Sequence, residues 1–264
     1  MSKKPNVLFL LSDEHSFRHM SFRSQEKEGE PVDTPNLDNL AKNGVFFDKA
    51  YCQMPLCTPS RMSILSGKEV RNCGAWSNGA VMRDNVKTFA HDFLENGYET
   101  CLVGKMHFGG DRQFNGFKYR PYGDLTGKTG HQWEPIKSYG NPIRGMRERT
   151  STAGTTSIPE SIMQEQMVIR ESMSFLREHK FNKPDKPWLL TASFSRPHFP
   201  LNAPGRYFNK YWPNKVTEPK VGFTGDTVDH PMTEGMREGF RTDEISKEEE
   251  MKARAAYFAN VEYL

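Results

Sequence analysis

Residues 6–12, NVLFLLS, form an unbroken apolar run that closes on Asp13, Glu14 and His15. Such a run predicts a strand buried on both faces, with polar groups gathered at its carboxyl end. The period then changes. In TPNLDNLAKNG (34–44), Leu37, Leu40 and Ala41 share a helical face, Thr34 stands as cap, Pro35 in the first turn and Gly44 as stop. VFFDKAYC (45–52) predicts a further short strand. PLCTPSRMSILSGK (55–68) predicts a short helix that opens at Ser60 and stops at Gly67. VKTFAHDFLENGY (86–98) is amphipathic with a glycine stop, and ETCLVG (99–104) is again an apolar strand. PESIMQEQMVIRESMSFLREH (159–179) predicts the longest helix, followed by the strand PWLLTASFS (187–195).

The closing segment SKEEEMKARAAYFANVEYL (246–264) predicts a helix capped by Ser246. It would turn Met251, Ala255, Phe258, Val261 and Leu264 toward a core. It carries no stop signal, so the expectation is that the natural helix continues and that these residues are the front part of a longer protein. The stretches 108–158 and 200–245 are rich in Gly, Pro, Lys and Arg and are expected to be long loops. Within them Trp133, Arg144 and Tyr207 are candidates either for a substrate pocket or for surface and minor-core positions. No internal repeat is visible.

Alternating helices and buried strands imply an α/β domain with a largely parallel sheet. In such sheets ligands bind beyond the carboxyl ends of the strands. Three predicted strand ends carry candidate groups: Asp13 with Glu14, Lys105 with His107, and Arg196 with His198. Their expected convergence is the main clue to function.

Composition narrows the classes. The 264 residues carry a net charge of +3 with no basic run interleaved with aromatics, which argues against nucleic acid as partner. The apolar run at the start is too short for a bilayer span and lacks the features of a secretory leader. The chain is therefore expected to be cytoplasmic and free of membrane, or periplasmic if a leader has been removed. Cysteines stand at 52, 57, 73 and 101 with no CxxC pair, so free thiols are expected rather than a zinc knuckle or redox couple. Cys52 and Cys101, in apolar runs, are expected to be small buried hydrophobes. Cys57, followed by Thr58, Pro59, Ser60 and Arg61, is different.

Each constellation has a plain alternative. Asp13 and Glu14 offer hard oxygen ligands suited to Ca²⁺ or Mg²⁺, or form a solvated strand end. Lys105 and His107, at i and i+2, can address one anion from the same side, the lysine as point charge and the histidine as proton donor. They are equally a surface lysine and a hydrogen-bonded histidine. Cys57 near a helix N-terminus lies where the dipole favours an anion, with Arg61 able to reach back toward it, or is a structural cysteine at a helix start.

The strings together decide. CTPSR followed by ILSGK resembles the sulfatase signature Cys-x-Pro-Ser-Arg with its Leu-Ser/Thr-Gly tail. KPNVLFLLSDE resembles the family's first strand with its metal acids, and DTPNLDNLAKNGVFFDKAY its Thr-Pro-Asn-Leu-Asp segment. GKMHFG is similar to Gly-Lys-x-His-x-Gly, and RPHFP to Lys-Pro-His-x-Pro. The five motifs occur in the family's order, and the resemblance covers most of the chain, with the stretches 108–158 and 200–245 least informative.

The resemblance implies an alkaline-phosphatase-like α/β fold with a large, mostly parallel central sheet flanked by helices, incomplete in this chain. It implies hydrolysis of a sulfate ester in which Cys57, oxidised to formylglycine by a formylglycine-generating enzyme, supplies the nucleophile. A hydrated aldehyde carries two hydroxyls on one carbon. One attacks sulfur, and the other later loses its proton so that the carbonyl re-forms and sulfate leaves. Asp13 would bind the divalent cation, Ca²⁺ with Mg²⁺ or Mn²⁺ as alternatives, together with Glu14 and modified Cys57. Glu14 stands where many members have Asp. Arg61 would hold the formylglycine hydroxyl, Lys105 the sulfate oxygens, His107 the formylglycine, and His198 would face the leaving oxygen. Arg196 replaces the usual lysine, and its role stays open.

The family completes its metal site with a late Asp followed by Asn or His, and then a lysine. That segment is not among these residues. Residues 1–264 are therefore expected to be the N-terminal part of a sulfatase catalytic domain, inactive alone, with a sulfated small molecule or carbohydrate as substrate of the whole. The alternatives are a phosphonate or phosphate ester hydrolase of the same superfamily, a non-catalytic binder of sulfated ligands, and a metal-independent cysteine hydrolase.

Overall fold

The computed structural model describes residues 4–124, 142–219 and 230–264, with the backbone alone for 142–146. Two compact units are present, the first from residues 1–13, 48–134 and 160–195 and the second from 14–47, 135–159 and 196–264. Each is described by itself.

The first unit is built on a sheet in the order β1 (Val7–Asp13), β5 (Trp188–Pro197), β2 (Glu99–Gly104), β3 (Tyr119–Gly123). β2 runs parallel to both β3 and β5, so each connection is a crossover rather than a tight hairpin. Alternation along β2 sends Leu102 into one core with Leu189 and Met62. Cys101 and Val103 enter another with Leu190, Ala192 and Val168. Helix α6 (Gln164–Asn182) supplies Val168 and Phe175 to the second core, and α2 (Cys57–Ser66) and α4 (Phe89–Glu95) line the first. Both faces of β2 are thus buried, which is why its sequence is continuously apolar. Gly104 ends the strand at φ +95°, and a Cβ there would lie 1.9 Å from the Ser193 carbonyl oxygen. Only glycine allows the two strand ends to come this close. A one-turn helix α3 (Val70–Cys73) follows α2, with Cys73 in the first core.

β1 departs from expectation. Phe9 and Leu11 pack inward, Phe9 edge-on against Phe89 at 5.8 Å, but Leu8 and Leu10 are about half exposed. Leu8 and Leu10 alternate with Phe9 and Leu11, so one face of β1 lies open among the described residues.

In the second unit α9 (Lys247–Tyr263) carries the core, with Ala255, Phe258, Ala259 and Val261 against Ala203, Phe208 and Tyr211. Ser246 caps it as expected, accepting from the Glu249 amide while Glu249 accepts from Ser246. Met251 is half-buried, but Leu264 is exposed. Beside α9 lie α7 (Gly205–Tyr211), α5 (Pro142–Ser151), α8 (Pro231–Phe240) and a two-stranded parallel pair, β4 (Gly154–Thr155) with β6 (Asn202–Ala203). α1 (Pro35–Asn43) forms as predicted, yet Leu37 and Leu40 remain exposed. Thr34 binds the Ser21 amide and Asp38 rather than capping the helix.

Further expectations are corrected. VFFDKAYC is not a strand. A turn at Asp48–Lys49 breaks it, and Val45, Phe47, Tyr51 and Cys52 are exposed. The stretches 108–158 and 200–245 are not plain loops, because they contain β3, α5, β4, β6, α7 and α8. Glycine and proline there mark short elements rather than their absence. Trp133 and the side chain of Arg144 lie outside the described residues. Tyr207 packs edge-on against Tyr263 at 5.5 Å as a minor-core residue.

Candidate functional site

α2 starts at Cys57 itself, three residues before the predicted opening. Leu56, at the N-cap, has no side-chain acceptor to offer the first turn. Asn78 supplies one: its Oδ1 accepts from the Thr58 amide at 3.0 Å. Thr58 Oγ1 in turn donates to the His107 carbonyl at 3.2 Å, and Pro59 adds no amide that would need a partner. Cys57 is therefore held at the positive end of a ten-residue helix, half-buried, and Gly67 closes that helix in the left-handed region.

Arg61, one turn on, is buried. Its Nη1 donates to the Lys105 carbonyl at 2.7 Å and to Ser193 Oγ at 2.9 Å, and Nη2 lies 3.5 Å from Asp13 Oδ2. Lys105 is wholly buried at the end of β2. Its ammonium pairs with Asp13 and lies 4.0 Å from Cys57 Sγ. Donor atoms of Asp13 and Cys57 come within 4.8 Å of each other. Two cations and one carboxylate thus meet beside Cys57, a composition that favours a bound anion where water is scarce.

His107 is buried with φ +61°, a left-handed conformation unusual for a non-glycine residue. Burial, then the neighbouring Lys105, lowers its pKa to about 4 despite the opposing pull of Asp124. That shift favours the neutral imidazole at neutral pH, a form that can share a hydrogen bond with a neighbouring group.

In the second unit Glu14 also has a left-handed backbone, φ +62°, and its carbonyl accepts from Tyr257 Oη at 2.5 Å. The Glu14 carboxylate lies 3.6 Å from His198 Nε2. His198 Nδ1 is 2.9 Å from the Phe199 carbonyl, which can only accept, so Nδ1 carries the proton. Arg196 is buried and turns onto its own loop. It donates to the Pro200 and Asn202 carbonyls at 2.5 and 2.7 Å and to Asn202 Oδ1 at 3.1 Å.

The structure thus brings Asp13, Cys57, Arg61 and Lys105 together and places His107 in the same unit. It pairs Glu14 with His198 and gives Arg196 a structural task. Sequence reasoning missed Asn78 and Ser193. Ser193 left a trace, a polar residue inside an otherwise apolar strand, and Asn78 left none. No helix among the described residues is long and apolar enough to cross a membrane.

A family model described as Sulfatase matches residues 5–264. A choline-sulfatase of Rhizobium meliloti (strain 1021) is 27% identical over 272 residues, covering 99% of this chain and 52% of the relative. An arylsulfatase of Clostridium perfringens (strain 13 / Type A) is 28% identical over 286 residues, covering 99% and 57%. Among solved structures, a phosphonate monoester hydrolase from Silicibacter pomeroyi matches with a TM-score of 0.70 at 22% identity, covering 98% of this chain and 56% of that one. The chain spans about half the length of the curated relatives it matches.

Proposed function

The chain belongs to the sulfatase family, and we propose that the whole protein hydrolyses a sulfate ester of a small molecule or carbohydrate, with Cys57 as the site of the nucleophile. One observation carries this reading. Buried Arg61 and Lys105 converge with Asp13 at a cysteine on a helix N-terminus. An ester sulfate placed there would have its oxygens among the two cations and the α2 dipole, where charge developing on the transferred group is stabilised without reorganisation.

The donor chemistry supports a divalent cation conditionally. A thiol is a soft ligand and poorly matched to Ca²⁺, whereas a hydrated aldehyde at position 57 would join the Asp13 carboxylate as hard oxygen. Asp13 and the converted Cys57 would hold the ion in the first unit. Formylglycine at position 57, once hydrated, would supply the attacking hydroxyl. Lys105 pairs with the Asp13 carboxylate, so one cation stands beside both the candidate metal ligand and position 57. Arg61 fixes the end of β2 against β5 through the Lys105 carbonyl and Ser193. His198, with Nδ1 protonated toward Phe199, presents Nε2 as the atom that would exchange a proton with a leaving oxygen.

The likeness to a phosphonate monoester hydrolase shows the common fold and keeps phosphorus esters in the test. The full-length protein, produced beside a formylglycine-generating enzyme, is digested and the Cys57 peptide weighed, and matched aryl sulfate, phosphate and phosphonate esters are assayed. Loss of the sulfur from that peptide, with the sulfate ester turned over fastest, is the expected result. An intact thiol in active protein would overturn it, and a faster phosphonate would move the substrate class.

A further inference from the structure

Beyond β2 the chain is held by a residue to which no role has been given. The Met106 amide donates to Asp124 Oδ1 at 3.1 Å, and the next amide, that of His107, donates to the other oxygen, Oδ2. Asp124 directly follows β3, the parallel neighbour of β2, at the point where Gly123 stands opposite Gly104. A Cβ on Gly123 would lie 2.2 Å from the Gly104 carbonyl, so the close approach that carries Asp124 to these amides depends on glycine.

The carboxylate is buried, and its charge is met by the equally buried Arg120, which pairs with Oδ1. Arg120 is fixed in turn by the Gln113 carbonyl at 2.8 Å and Gln113 Oε1 at 2.6 Å. The Gln113 side-chain nitrogen returns to the Phe108 and Gly110 carbonyls at 3.1 and 2.7 Å. Residues 106–124 thus close on themselves around one ion pair.

The strain lies where the carboxylate binds. A left-handed non-glycine residue is strained and persists only when its surroundings over-determine it. At His107 the amide is held by Asp124 and the carbonyl by Thr58, the residue next to Cys57. The segment immediately before it carries Lys105, whose ammonium reaches Asp13 and Cys57.

We propose that Asp124, charge-balanced by Arg120, is a positioning residue of the candidate site: it clamps the backbone of Met106 and His107 in the bent conformation that keeps Lys105 aimed at Asp13 and position 57. Its catalytic part rests on the sulfatase reading. Asp124 itself touches no reacting atom.

The test uses the full-length matured protein and its Asp124→Asn, Asp124→Glu and Arg120→Lys variants. Amide hydrogen exchange is read at residues 104–108, and kcat and KM on an aryl sulfate. Asp124→Asn keeps one acceptor and loses the charge. The expected result is faster exchange at Met106 and His107, by about tenfold, with β2 and α6 unaffected. Conversion of Cys57 is expected to persist, with kcat down by about 100-fold and KM little changed. Asp124→Glu, which restores both oxygens, is expected to recover part of kcat. Arg120→Lys, which keeps the charge, serves if Asp124→Asn does not fold, with the same local loosening and a smaller kcat loss expected. Unchanged exchange at 106–107 would overturn the clamp. Faster exchange with undiminished kcat, or a loss of stability spread over the whole unit, would overturn the positioning role. A wild-type protein that is converted yet inert on every ester would sink the sulfatase reading and with it the catalytic part, while exchange still judges the clamp.

Discussion

Lys105-Met106-His107 and Arg196-Pro197-His198 carry one pattern, a cation two residues before a histidine where a strand ends. In both, cation and histidine are buried. The two cations nevertheless do different work. Lys105 sends its ammonium out of its own segment to Asp13 and Cys57 and leaves the backbone to be held by Asp124. Arg196 spends its guanidinium on the loop that carries it, binding three acceptors at Pro200 and Asn202. A planar fork suits several fixed acceptors, and a point charge on a flexible stem suits a carboxylate and an exchangeable anion. Equal spacing therefore does not mean equal role. Whether the segment's own carbonyls or a distant carboxylate are within reach decides it.

That contrast can be broken by substitution. The largest effect is expected from Lys105→Ala, which removes one of two cations at the site and should lower kcat on an aryl sulfate by roughly 10²–10³-fold, measured on converted protein. Lys105→Arg should not rescue, because the site is wholly buried and a bulkier fork overpacks it. Arg196→Lys comes next. One ammonium cannot serve three acceptors in a fork, so stability should fall by about 1–3 kcal/mol in denaturant titration, with kcat little changed. Loss of activity without loss of stability at Arg196, or the reverse at Lys105, would dissolve the distinction.

The smallest effect tests the other end of β2. Burial alone pushes the Glu99 carboxyl up, but hydrogen bonds from Lys183, Tyr119 and Lys118 outweigh it, leaving the pKa lowered to about 2 from 4.5. The unfolded chain takes up its proton near 4.5 and the folded one only near 2. The stabilisation from Glu99 is therefore complete above 4.5 and drains away as pH falls toward 2. Glu99→Gln should flatten that part of a stability–pH curve and leave esterase activity unchanged. A drop in activity would show that the two ends of the strand are coupled.

The strands β2 and β5, the helices α4, α6 and α9 with the Ser246 cap, and the helix that opens at Cys57 were all legible in the chain. Apolar period, capping and glycine stops act over a few neighbours, so they are written locally. Asp13, Cys57, Arg61 and Lys105 were each legible as candidates, at strand ends, at a helix start and in the family motifs, but their contacts with one another were not. The exposed face of β1 and the turn that breaks VFFDKAYC were not legible, since burial depends on which layer arrives from elsewhere. Nor were the partners that hold the site. Asp124 meets the His107 amide from 17 residues away, and Ser193 meets Arg61 from 132 residues away. Hydrogen bonds of that range are specified by strand order and register, which no local pattern encodes. Residue types and their spacing put a cysteine, two cations and a carboxylate on offer. The folded chain then turned Lys105 toward Asp13 and Cys57 while Arg196, in the same pattern, bound its own loop.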